Sequence, residues 1–182
     1  MKNKAIFFDR DGVINCKLEN DYVKNRSEFM FQRGSLDLFS LIKRMNYLAI
    51  IITNQQCIGK GIITTETLLD IHNYMQETTL RLTGFTFDDI YFCPDLDGVG
   101  SKYRKPEVGM FEDAIKKWNI DVEQSYTLGD VETDMIAGKK IGTTTILINN
   151  KITVCEYADY IMQDLSDVYL YFEKFNTNNK DY

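Results

Sequence analysis

An apolar run, Ala5-Ile-Phe-Phe, delivers two carboxylates two residues apart, Asp9 and Asp11, and Gly12 follows at once. Such a run reads as a buried strand of a parallel sheet. Strands of that kind present binding groups at their C-terminal ends, and Gly12 lets the chain turn sharply behind the pair. Two acids this close repel each other unless a cation or a shared proton compensates. The chemistry that fits is metal-assisted, with one carboxylate attacking and the other shuttling a proton. An ordinary Asp/Gly turn is the plain alternative. An EF-hand loop fits less well, because its glycine stands sixth and follows a helix.

Further clusters recur later in the chain. Thr53 and Asn54 close a second apolar run; the hydroxyl suits a phosphate oxygen and the amide can assist, although both residues also simply end strands. Gly59-Lys60-Gly61 offers flexible backbone and one cation near the same edge, or a solvated loop lysine. In Arg104-Lys105-Pro106 the proline suits a first helical turn. Lys105 can neutralise a phosphate or a phosphorylated carboxylate, and Arg104 can hold a second anionic or hydroxylated part of a substrate; both fit surface charges too. Asp130 follows Gly129 at the end of another apolar run, with Asp134 four residues on, on the same face of a first helical turn. Carboxylates from two strand ends make an oxygen site suited to Mg²⁺, and an N-cap with an acidic first turn would use the same residues. Each cluster has its bland explanation; their joint appearance, in order, at strand ends favours chemistry.

The elements that must position these groups alternate. Strands are expected at Ala5–Asp9, Leu48–Thr53, Ile90–Phe92, Ser125–Leu128 and Thr144–Ile148, with a weaker one at Tyr160–Ile161. Helical patterns lie at Ser35–Met45, Thr65–Leu82, Val108–Trp118, Thr133–Lys140 and Leu165–Phe175. This implies βαβ units and a mainly parallel sheet covered on both faces, a Rossmann-like three-layer α/β/α sandwich. One domain over 1–175 and a polar tail over 176–182 are expected. Two long connections, Asn15–Gly34 and Pro94–Pro106, leave strand ends and can reach the site.

The chain has 182 residues, 44% of them apolar, so it can build a core. No apolar stretch is long enough to span a membrane, and Met1–Lys4 runs straight into the first strand without a cleavage signal. A cytoplasmic monomer with no membrane or nucleic-acid partner is expected; a net charge of −6 argues against a general nucleic-acid surface. Cys16, Cys57, Cys93 and Cys155 are scattered and read as free thiols. The one histidine, His72, reads as a surface or boundary residue rather than a catalytic one.

Asp9-x-Asp11-Gly12, Thr53-Asn54, Lys105-Pro106 and Gly129-Asp130-x-x-x-Asp134 resemble the four motifs of the haloacid dehalogenase (HAD) superfamily. The local text around Phe8–Asn15, Tyr22-Val23, Thr53–Gln55, Cys93-Pro94 and Arg104–Met110 is similar to the heptose-1,7-bisphosphate phosphatases, with histidinol-phosphate phosphatases as close relatives. The resemblance implies a HAD-like sheet without a large cap domain and a phospho-aspartate mechanism. It makes Asp9 the nucleophile and Asp11 the acid that protonates the leaving oxygen and then activates water. Thr53 and Lys105 would bind the phosphoryl group. Mg²⁺ would be held by the Asp9 side chain, the Asp11 backbone carbonyl and Asp130. Asp134 would orient Lys105 or a metal-bound water, and Asn54, Lys60 and Arg104 would contact substrate. The implied substrate is a small phosphorylated metabolite, heptose 1,7-bisphosphate going to heptose 1-phosphate. Alternatives are histidinol phosphate or another small phosphomonoester, and outside enzymes a phospho-accepting signalling domain.

The chain departs from these relatives in one loop. They carry a Cys-x-His pair and a Cys-x-Cys pair that bind zinc; here Asp95, Ser101 and Tyr103 stand at three of those positions and only Cys93 remains. One thiolate does not make a structural zinc site, so no zinc is expected and Cys93 reads as a buried thiol.

Overall fold

The computed structural model of the chain describes residues 2–178. Strand β1 (Ala5–Phe8) is buried along its whole length. Its side chains alternate between two cores, as the pleat requires. Ile6 and Phe8 pack with Leu38, Phe39, Ile71, Met75 and Phe172, while Ala5 and Phe7 pack with Phe111, Ala114 and Ala137. Phe7 is fully buried and meets Phe111 edge-on at 5.1 Å between ring centroids. Burying one such ring stabilises the fold by about 1.5–3 kcal/mol.

The other strands are β2 (Leu48–Asn54), β3 (Asp89–Cys93), β4 (Tyr126–Gly129), β5 (Thr144–Ile148) and β6 (Tyr160–Met162). They form one parallel sheet in the order β3-β2-β1-β4-β5-β6. Helices α1 (Ser35–Arg44), α3 (Thr65–Thr83) and α6 (Leu165–Asn178) contribute to the first core, and α4 (Gly109–Trp118) and α5 (Glu132–Ile141) to the second. A short helix, α2 (Gln56–Gly59), follows β2. The result is a Rossmann-like α/β/α sandwich, with no large cap among the described residues. None of the described helices is long and apolar enough to cross a membrane.

The expected strands and long helices all appear, with ends shifted by a few residues at most. β1 stops at Phe8, which leaves Asp9 just beyond the strand. α3 is capped by Thr64, whose Oγ1 accepts the Thr67 N–H at 3.2 Å. α6 runs through Asn178, past the expected start of the tail; residues 179–182 lie outside the described residues.

The topology places the site. From β1 the chain winds outward through β2 and β3, then returns to lay β4 on the other side of β1. Neighbouring connections therefore diverge between β1 and β4. In open α/β sheets ligands bind at that point, outside the C-terminal strand ends.

Candidate active site

The Asp9 N–H donates to the Leu128 carbonyl at 2.9 Å, so Asp9 stands next to the end of β4. Asp9, Asp11, Thr53, Asn54, Lys105, Asp130 and Asp134 line a single cavity of about 170 Å³ at the C-terminal edge of the sheet. Lys60 and Arg104 do not line it. Lys60 Nζ instead bonds the Tyr22 hydroxyl at 2.8 Å. Arg104 Nη1 donates to the Asp95 carbonyl at 3.3 Å, and its Nε lies 3.5 Å from Asp97.

Two glycines let the acids close in. A Cβ on Gly12, whose φ is +99°, would stand 2.6 Å from Asp130 Oδ2. A Cβ on Gly129 would stand 2.2 Å from Asp134 Oδ2. Asp134 sits in the first turn of α5, where the helix N-terminus favours negative charge.

Asp9 and Asp11 are held in opposite ways. Asp9 takes an ion pair from Lys105 Nζ at 2.7 Å. Burial nevertheless pushes its carboxyl up to about 6, with Asp134 and Asp11 adding repulsion and Lys105 pulling the other way. Asp11 is buried too, but Arg10 Nη2 lies 2.8 Å from its carboxylate, Asn15 Nδ2 donates at 2.9 Å and Gln55 Nε2 at 2.7 Å. Burial raises Asp11; Arg10 and these hydrogen bonds outweigh it and hold the group below the usual carboxylate range.

Gln55 and Asn54 support the phosphate side. Gln55 Nε2 also donates to Thr53 Oγ1 at 2.9 Å, which leaves the Thr53 hydroxyl proton to donate elsewhere. Asn54 lines the cavity and also grips the backbone of Lys105. Its Nδ2 donates to the Lys105 carbonyl at 3.1 Å and its Oδ1 accepts the Lys105 N–H at 3.0 Å, so it places the lysine. Lys105 is nearly buried and uses three donors, on Asp9 and Asp134 at 2.7 Å each and on the Ile52 carbonyl at 2.6 Å.

Comparison with known proteins fits this geometry. A family model described as HAD-hydrolase-like matches residues 102–168. D-glycero-beta-D-manno-heptose-1,7-bisphosphate 7-phosphatase of Helicobacter pylori (strain ATCC 700392 / 26695) is 37% identical over 152 residues, covering 82% of this chain and 87% of that protein. The enzyme of the same name from Pasteurella multocida is 34% identical, covering 91% and 94%. The crystal structure of D,D-heptose 1,7-bisphosphate phosphatase from B. bronchiseptica, complexed with magnesium and phosphate, superposes with a TM-score of 0.85 at 26% identity, covering 94% of this chain and 98% of that one. The chain belongs to the HAD-like phosphatases. It is a hydrolase of phosphoric monoesters.

The donor set of this phosphatase suits the metal on which such enzymes generally depend. Ligand oxygens of Asp9, Asp130 and Asp134 lie within 4.8 Å of one another. Asp130 Oδ1 is buried with no hydrogen-bond partner, and burial and Asp9 raise the Asp130 carboxyl. Crowded, desolvated carboxylates with an unused oxygen fit a hard divalent cation such as Mg²⁺. The family resemblance implies Asp9, Asp130 and the Asp11 backbone as ligands; the structure brings the Asp134 side chain close as well, where it also holds Lys105.

Several residues went unassigned in the sequence. Arg10, Asn15, Gln55 and Lys17 surround Asp11 and Asp130, the last through a Lys17 Nζ contact of 2.5 Å with Asp130 Oδ2. Arg10 sits inside the Asp-x-Asp motif and Gln55 directly after Thr53-Asn54, so proximity was the available signal. His72 is not a surface residue but is buried, with Nε2 3.4 Å from Arg10 Nη1. A guanidinium only donates, so Nε2 is the unprotonated ring nitrogen.

The loop after β3 is organised by its own side chains. Cys93 is fully buried, and its sulfur lies 3.5 Å from Asp95 Oδ2 and 3.7 Å from Ser101 Oγ. Ser101 Oγ accepts the backbone N–H groups of Tyr103 and Arg104 at 3.1 and 3.3 Å.

Proposed function

We propose that this phosphatase removes the 7-phosphate of D-glycero-D-manno-heptose 1,7-bisphosphate and leaves heptose 1-phosphate. The unequal treatment of Asp9 and Asp11 carries the chemistry, and the substrate of the named relatives supplies the sugar. A carboxylate oxygen of Asp9 attacks the phosphorus, the bond from phosphorus to the sugar oxygen breaks, and the leaving oxygen takes a proton from Asp11. Asp11, now a carboxylate, takes a proton from water as that water attacks the phosphorus of the acyl phosphate. Inorganic phosphate leaves and Asp9 is restored.

The environment of Asp11 suits the second half directly, because it is an ionised base in the free enzyme. The first half needs it protonated, and an anionic phosphoryl group arriving beside it raises its affinity for a proton. Thr53 donates its hydroxyl to a phosphoryl oxygen, and Lys105 sets positive charge against Asp9 where the acyl phosphate forms. Mg²⁺, held by the Asp9 side chain, the Asp11 carbonyl and Asp130, would neutralise charge on the transferring group, which is most of what phosphoryl transfer requires.

Phosphate release with Mg²⁺ from heptose 1,7-bisphosphate, other sugar mono- and bisphosphates and histidinol phosphate tests the reading. The heptose bisphosphate is expected to lead in kcat/KM by at least about tenfold. Preference for histidinol phosphate or a monophosphate would overturn the substrate while leaving the reaction type in place.

A further inference from the structure

Among the described residues two cations line the cavity, and they are not equivalent. Lys105 is 5% exposed and has its donors committed to Asp9, Asp134 and the Ile52 carbonyl. The Lys17 side chain is 49% exposed and pairs with Asp130 Oδ2. It stands on the loop after β1, beside Leu18, Asp21 and Tyr22, which line the same cavity. Asp130 also keeps a buried Oδ1 without a hydrogen-bond partner, which suits a metal ion.

A bisphosphate brings two strongly anionic groups to an acidic protein. Lys105 and the metal answer the reacting group, and the other needs a cation of its own. Neither Lys60, bonded to the hydroxyl of the lining residue Tyr22, nor Arg104, tied to Asp95 and Asp97, lines the cavity itself.

We propose that Lys17 binds the second phosphate of the substrate, and that it becomes free to do so by yielding Asp130 to the metal ion. This rests on the bisphosphate reading above. The Lys17 ammonium is half exposed, so water can take over its solvation when it leaves Asp130. The long flexible lysine stem lets the ammonium move while its backbone stays in place. In the metal-free enzyme Lys17 neutralises part of the charge on Asp130 and so competes with the metal.

Lys17→Met and Lys17→Arg test the assignment with two measurements. The first is the rise of Tm with Mg²⁺ concentration, with no substrate present. Lys17→Met is expected to respond at several-fold lower Mg²⁺ than the wild type, because the competing ammonium is gone. The second is KM for heptose 1,7-bisphosphate against KM for an aryl phosphate. Lys17→Met is expected to raise the bisphosphate KM about tenfold or more, the loss of a hydrogen bond to a charged group, with a smaller change in kcat and in the aryl phosphate KM. Lys17→Arg is expected to restore most of the bisphosphate affinity. Equal KM changes for the two substrates, or an unmoved Mg²⁺ response, would overturn the role of Lys17. A wild type that hydrolyses the aryl phosphate but no bisphosphate would overturn the reading beneath it, and the proposal with it.

Discussion

The side chain of Asn54 holds the backbone of Lys105 on both sides, accepting its N–H at 3.0 Å and donating to its carbonyl at 3.1 Å. The end of β2 thereby fixes a residue carried by the long connection after β3. Asn54→Ala is expected to lower kcat/KM by about 10- to 100-fold through misplacement of the Lys105 ammonium. Asn54→Asp keeps one acceptor and loses the donor, so it should fall between. Wild-type kinetics for Asn54→Ala would remove the positioning role.

Asp9→Asn is expected to abolish phosphate release from an aryl phosphate in the presence of Mg²⁺, since an amide does not form the acyl phosphate. Asp11→Asn keeps hydrogen-bonding atoms for its neighbours but loses the proton carrier, and a fall of about 10²–10⁴ in kcat is expected. Full activity in Asp9→Asn would sink the mechanism.

His72 gives a pH dependence to stability. Burial and the Arg10 guanidinium push its folded-state value down from 6.5 to about 3, with Asp11 pulling the other way. The unfolded chain therefore takes up a proton that the folded state refuses. This contribution is whole above pH 6.5 and is lost as pH falls from there toward 3, with a slope of up to about 1.4 kcal/mol per pH unit. Asp9, raised to about 6, acts in the opposite sense, so the comparison is wild type against His72→Gln at fixed Mg²⁺. Between pH 7 and pH 5 the urea midpoint of the wild type should fall relative to that of the variant, because only the wild type carries the His72 loss. Equal pH sensitivity in the two would exclude His72 as the source.

Gly129→Ala places a methyl group where the Asp134 carboxylate now sits. The clash falls on side-chain atoms in the first turn of α5, so the helix start or Asp134 must move. A loss of about 1–3 kcal/mol in stability is expected. A fall in kcat should accompany it, because Asp134 holds Lys105. Unaltered stability and rate would mean the turn absorbs the methyl group freely.

Metal analysis of the purified protein is expected to find no stoichiometric zinc, since Cys93 is the one thiol in a loop that has Asp95, Ser101 and Tyr103 beside it. Ser101→Ala should loosen the loop by removing the acceptor for two backbone N–H groups. Its expected signature is faster proteolysis between 94 and 104; one zinc per chain would overturn the loop argument.

What the sequence determined by itself was local. Apolar runs of strand length, amphipathic runs of helix length and the polar residues that end them follow from side-chain period and turn chemistry within a few positions. That was enough for the alternating sandwich, for Asp9, Asp11, Thr53 and Asp130 as groups delivered at strand ends, and for Lys105 on a connection that reaches them. The tertiary structure alone decided how those ends meet. Laying β1 between β2 and β4 brings Asp9, Thr53 and Asp130 to one cavity. The same folding turns Asn54 onto Lys105 and sets Arg10, Asn15 and Gln55 around Asp11. It leaves Lys60 on Tyr22 and Arg104 on Asp95, outside the cavity. Hydrogen bonds between residues tens of positions apart leave no period in the sequence. The unequal fates of Asp9 and Asp11, two neighbours with the same side chain, were fixed by burial and by Lys105, Asp134 and Gln55, which only the packed fold brings in, alongside the sequence neighbours Arg10 and Asn15.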